Sequence, residues 1–226
     1  MKKNINNKYD VHVPVTSLVS VENTSNRGGG CCYEIQDLQK ISAVCSDNNL
    51  KFHLDGARIF NAIVAKGENP KQYGELFDTI SICLSKGLGS PMGSVLIGSK
   101  LDILKARRIR KAMGGGMRQA GFAAAAGIYA LDNNIQRLNE DHQKAKHLSA
   151  LLEKLAFIDE IFPVETNIII MKLGYQKDRD EFINELNENG VKVVPFGPKL
   201  VRMTLHLDVT ESMMDRLIKI LNGFKK

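Results

Sequence analysis

The stretch Ser81-Ile82-Cys83-Leu84-Ser85-Lys86-Gly87-Leu88-Gly89 ends an apolar run in a single lysine, and small residues let the backbone turn just beyond it. A buried amine loses hydration, which lowers its pKa and makes the neutral, nucleophilic form accessible. A lysine in that state can form a Schiff base with a carbonyl compound, pyridoxal phosphate (PLP) among them. Taken alone, Lys86 reads more plainly as a solvated cap beyond a strand. Asp55 in His53-Leu54-Asp55-Gly56 is the second candidate. A carboxylate against the pyridine nitrogen of PLP keeps the ring protonated and electron-withdrawing, and Gly56 lets a flat ring approach the backbone. The plainer reading of Asp55 is a helix N-cap ahead of Ala57-Arg58.

The elements that must position these residues follow from periodicity. Val15 to Val21, Leu50 to Leu54, Phe77 to Leu84 and Ser94 to Ile97 read as strands, with helices over Ile35 to Ser46 and Ile59 to Ala65 between them. This alternation predicts an α/β fold, a three-layer α/β/α arrangement around a mostly parallel sheet. Ligands in such sheets sit at the carboxyl ends of the strands, where Asn23, Asp55 and Lys86 all fall. Leu101 to Met113 predicts a basic helix whose apolar positions Leu101, Leu104, Ile109 and Met113 form a core stripe. A long helix is expected over Ile135 to Leu155. Beyond it, strands at Thr166 to Met171, Val191 to Val194 and Val201 to Leu205, with helices Lys177 to Asn187 and Glu211 to Phe224, predict a small α+β unit. The expected division is a large-domain part over residues 1–135 and a small C-terminal domain over 136–226, with the boundary inside the long helix.

Composition narrows the function classes. The 226 residues are 43% hydrophobic and 25% charged, as in a soluble globular protein. No apolar run approaches the ~20 residues of a membrane span. Basic Met1 to Asp10 precedes no apolar segment, so it does not read as a signal peptide, and a cytoplasmic location is expected. Cys31, Cys32, Cys45 and Cys83 have no zinc-site spacing and read as reduced thiols. The net charge of +6 permits an anionic partner. The basic helix lacks the interleaved aromatics of a nucleic-acid binder, and neither a Walker loop nor G-x-G-x-x-G is present, so no nucleic acid or nucleotide is expected.

Several motifs then converge. His53 to Ala62 (HLDGARIFNA), Ser81 to Gly89, Pro91-x-Gly93-Ser94, Arg107-Arg108 with Arg110-Lys111, and Gly114-Gly115-Gly116-Met117-Arg118-Gln119 resemble the low-specificity L-threonine aldolases. Glu22-Asn23-Thr24-x-Asn26, Thr166-Asn167 and Val201-Arg202-x-x-x-His206-x-Asp208-Val209 match as well, in the family's order. The resemblance implies a PLP enzyme of the aspartate-aminotransferase fold. It implies Lys86 as the Schiff-base lysine, Asp55 as partner of the pyridine nitrogen, and Arg58 on the ring-hydroxyl side. Arg118 resembles an arginine that reaches the phosphate of a neighbouring subunit, which implies a homo-oligomer. Arg202 matches the arginine that holds the substrate carboxylate, a role that suits a planar fork. His12 fits another active-site histidine. Ser25 stands where the family usually has histidine. The likeness starts near Val11, and the family's first third, with its phosphate cradle and ring-stacking histidine, has no counterpart in this sequence.

The implied reaction is a retro-aldol cleavage of threonine or allo-threonine to glycine and acetaldehyde, with His12, or a water it positions, as base. The alternatives are another PLP lyase acting by β-elimination, and a fragment that works only with an N-terminal partner.

Overall fold

The computed structural model describes residues 2–224; Met1, which opens the basic stretch considered for a leader, lies outside them. β1 (Leu18–Glu22), β2 (Lys51–Gly56) and β3 (Thr79–Cys83) pair in parallel, and β4 (Ser94–Gly98) returns antiparallel to β3. The order β1-β2-β3-β4 gives a mostly parallel sheet in a mixed α/β fold. Parallel neighbours need crossover connections. These are α1 (Ile35–Asp47) between β1 and β2, and α2 (Ile59–Lys66) with α3 (Pro70–Leu76) between β2 and β3. Their apolar faces meet the sheet in one core built on Leu38, Phe52, Leu54, Ala62, Tyr73 and Ile80.

Local signals account for the helix ends. Gly67, at φ 66°, closes α2 in the left-handed conformation that glycine adopts without strain. Asn69 then opens α3 with a capping box to Gln72 and proline at the first helical position. That Asn-Pro-x-Gln signal was readable in the sequence, yet the expected elements omit α3. They also omit β5 (Ile158–Ile161).

α4 (Lys100–Ala112) lies where the basic helix is expected, but its core stripe is not a core. Leu101, Leu104, Ile109 and Met113 are 55–82% exposed, and the helix has no buried residue. The periodicity is correct; the described residues put nothing opposite it. α5 (Gly121–Asn133) and α6 (Leu138–Leu152) are separate helices, so the expected long helix begins three residues late. α6 packs against α2 on one side and against α8 (Glu211–Gly223) on the other. Its buried residues Leu138, Asp141, His142, Ala145, Leu148 and Leu152 recur at helical spacing.

Beyond α6 a second, antiparallel sheet runs in the order β5, β6 (Ile168–Leu173), β8 (Leu200–Thr204), β7 (Val194–Pro195). With α7 (Arg179–Glu188), α8 and α6 it closes over a second core that includes Leu148, Ile169, Met171, Phe182, Val201 and Leu217. A third, small cluster of Leu84, Leu88, Ala130 and Leu138 joins the end of the first sheet to α5 and α6.

Candidate active site

That small cluster explains how Lys86 is held. Leu84 and Leu88 are buried on either side of the turn, while Ser85 and Lys86 between them are exposed. The turn is closed by Gly89 N donating to the Lys86 carbonyl at 2.8 Å and Ser90 N donating to the Leu84 carbonyl at 3.0 Å. Asn134 donates to the Leu88 carbonyl at 2.7 Å and pins the turn to the start of α6's approach. A Cβ on Gly87 would lie 2.9 Å from Leu138, so the backbone sits tight on the helix there. Of the two readings of Lys86, this exposure matches the solvated cap and not the buried amine. The apolar run stops at Leu84, and the amine projects from an anchored turn into open space.

That space is a cavity of about 380 Å³, lined by Arg58, Ser85, Lys86, Gly87, Ser90, Asn167, Thr204 and His206, with Asp208 at its wall. A narrow cleft continues beneath it between Gly56–Asn61 and Ile82–Leu88. A second cavity of about 400 Å³ lies behind β8 and α8, lined mainly by apolar residues, and it holds none of the expected site residues.

Asp55 ends β2 opposite Ser81 of β3. It is half-buried, and its Oδ1 accepts from Ala57 N at 3.1 Å; α2 begins only at Ile59 and has no side-chain cap, so the N-cap reading of Asp55 does not hold. A Cβ on Gly56 would stand 2.8 Å from the Ser81 carbonyl, which leaves room for no other residue. The Arg58 guanidinium is held below its ordinary pKa by burial first and by the nearby Arg202 charge second. Arg202, on β8, donates from Nη1 to Asn26 Oδ1 at 2.9 Å and lies 5.3 Å over the Phe196 ring, while its buried Nε has no partner.

Lys86, Asp55, Arg58 and Arg202 thus lie around one region, and among the described residues none is in an ion pair. An amine without an acid, a carboxylate without a cation, and two arginines without an anion make a set that fits a ligand carrying the complementary groups. PLP with an amino acid is such a ligand, so the residues present fit that cofactor. Of the expected residues Lys86 and Arg58 line the cavity, Asp55 and Arg202 stand close to Arg58, and two others lie away from it. His12 is in a turn before β1, 88% exposed at its side chain, with its ring 3.1 Å from Asp10. Arg118 is exposed in the loop between α4 and α5.

The sequence reading gave no role to Asn61, His142 or His206. His206 lines the cavity with Asp208 3.4 Å away. Asn61 and His142 are buried polar residues on mainly apolar helix faces, and that mismatch was the available signal.

Known proteins resemble this chain over most of its length. Residues 1–174 match the family described as beta-eliminating lyase. A low-specificity L-threonine aldolase of Arabidopsis thaliana is 38% identical over 208 residues, 91% of this chain and 58% of that protein. Its Escherichia coli K12 counterpart is 39% identical over 214 residues, 91% of this chain and 59% of that protein. The structure of Leishmania major threonine aldolase superposes with a TM-score of 0.80 at 25% identity, over 96% of this chain and 64% of that one. The chain therefore spans less than two thirds of the length of these relatives.

Proposed function

The chain belongs to the beta-eliminating lyase family, and on that premise we propose that it forms the lysine-bearing part of a PLP-dependent aldehyde-lyase. The proposed substrates are threonine and allo-threonine, cleaved between Cα and Cβ to glycine and acetaldehyde. The observation that carries this reading is the set Lys86, Asp55, Arg58 and Arg202, with Lys86 and Arg58 lining one cavity and Asp55 and Arg202 close to Arg58.

Each residue has a part. Lys86 supplies the amine to which the cofactor attaches. Asp55 holds the ring nitrogen in its protonated form, and Arg58 binds the ring-hydroxyl side. Arg202 fixes the substrate carboxylate, for which its unpartnered Nε and remaining Nη2 form a fork. When bound, PLP supplies an electron sink for the pair left on Cα. His12, or a water it orients, takes the β-hydroxyl proton, which requires the stretch before β1 to fold towards the cavity. Arg118 would reach the phosphate site of a second copy, so the working form is a homo-oligomer.

In this reading residues 1–135 form part of the cofactor domain, residues 136–226 form the small domain, and the protein works in the cytoplasm. No described helix is long and apolar enough to cross a membrane.

The test is product identification. The PLP-loaded chain, alone and with the family's N-terminal third supplied as a second polypeptide, is incubated with threonine. Acetaldehyde and glycine in equal amounts support the reading. A 2-oxo acid with ammonia would replace it by β-elimination. Neither product, with no visible absorbance from bound cofactor, would overturn it.

A further inference from the structure

Three buried amide and imidazole side chains run between the two sheets. Asn61 on α2, His142 on α6 and Asn167 just before β6 are each no more than 3% exposed. Their bonds can be given directions by starting from an atom with no choice. The Leu205 carbonyl can only accept, so the Asn167 group 2.8 Å from it is the NH2. Asn167 Oδ1 therefore faces Asn61 and must accept, which fixes Asn61 Nδ2 as the donor at 3.3 Å. The second proton of Asn61 Nδ2 points to His142 Nε2 at 3.1 Å. That nitrogen must accept in turn, so His142 is neutral with its proton on Nδ1. Reversing any member would set donor against donor or acceptor against acceptor in a dry interior, where an unmet polar group is costly.

The ends of this chain matter for the site. Asn167 lines the Lys86 cavity and also accepts from Leu205 N through its own carbonyl at 2.9 Å. Leu205 lies three residues after Arg202. At the other end, Asn61 lies beneath Gly87, whose Cβ position is 3.6 Å from Asn61 Oδ1. We propose that Asn61, His142 and Asn167 form a directional positioning relay that sets the Arg202 strand against the Lys86 turn. These are positioning residues, acting through Leu205 and Gly87. Their effect on amino-acid binding rests on the function proposed above; their effect on the strand does not.

The test has a part that needs no cofactor. Nitrogen-15 NMR of the whole chain is expected to show His142 as the neutral Nδ1–H tautomer; an Nε2–H tautomer would overturn the relay. Hydrogen exchange is then compared for Asn61→Leu and for Asn167→Asp, which still accepts from Asn61 but sets a carboxylate oxygen against the Leu205 carbonyl. Faster exchange confined to residues 200–206 and the Lys86 turn is expected in both. A uniform rise across α1 and α7, or none, would reduce the three residues to ordinary packing and overturn the proposal. With PLP loaded, Asn167→Asp should weaken glycine binding about tenfold. Failure of the wild-type chain to bind PLP would sink the functional reading alone, and the first two measurements would still decide the relay.

Discussion

Arg58 and Arg202 oppose each other's charge across the site, and no carboxylate among the described residues forms an ion pair with either. Burial and then the Arg202 charge hold the Arg58 guanidinium below its ordinary pKa, with Glu22 only a weaker counter-influence. An anion placed between them relieves both costs. Glycine is therefore expected to raise the thermal midpoint of the PLP-loaded chain. Arg202→Lys keeps the charge and loses the fork, so glycine affinity should fall by the ~1.5–3 kcal/mol of a charge-assisted hydrogen bond. Calorimetric titration measures this, and unaltered affinity would remove Arg202 from the carboxylate role.

Lys86 stands in an anchored turn whose stability comes from Leu84, Leu88 and Asn134 rather than from its amine. Borohydride reduction of the PLP-loaded chain followed by peptide mapping should label Lys86. Lys86→Ala should lose the visible absorbance and change folding stability by no more than ~0.5 kcal/mol, as for a surface substitution. Label on another lysine would refute the assignment.

His142 carries a pH dependence. Burial, and after it the Lys146 charge, lower its pKa from 6.5 to about 4. The unfolded chain then binds a proton that the native chain refuses between those values. Stability attached to this residue is whole above about pH 6.5 and is lost as the pH falls towards 4, an effect on the order of 3 kcal/mol. Denaturant unfolding of the wild type and His142→Gln at pH 7, 5.5 and 4.5 checks the sign: the gap between them should shrink as the pH falls. A constant gap would show that His142 does not titrate in this way.

Much of this was readable from residues, and the parts that were not share a cause. Asp55, Lys86 and the strands that deliver them obey local pattern, since a buried strand and a glycine turn are written in adjacent residues. The anchoring of the Lys86 turn was not, because it depends on Leu138 and Ala130, which lie at least 44 positions away and reach the turn only through the fold. α4 shows the converse. Its stripe promises burial, but periodicity records which side of a helix is apolar and carries no information about what covers it.

The uncovered surface has a measurable result. β1 and β4 are the sheet's outer strands. Val95, Leu96 and Ile97 on β4 are exposed, and so are the apolar residues of α4, which packs against β4. Contiguous apolar surface and free strand edges promote association. Sedimentation velocity is expected to show the isolated chain self-associating, and a polypeptide covering the family's N-terminal third should reduce it. A monodisperse monomer at micromolar concentration would contradict this.

The ladder that pairs Glu22 with Asp55 and Asp55 with Ser81 has a bearing on how such a sequence can change length. Side chains alternate between the faces of a strand, so losing one residue from β2 would carry every later position to the opposite face. Loops between the strands and their crossover helices can absorb insertions without moving the ladder. Length variation among functional relatives should therefore fall outside β2. A deletion at Lys51 or Phe52 would deprive the site of its acid while leaving Asp55 itself unaltered.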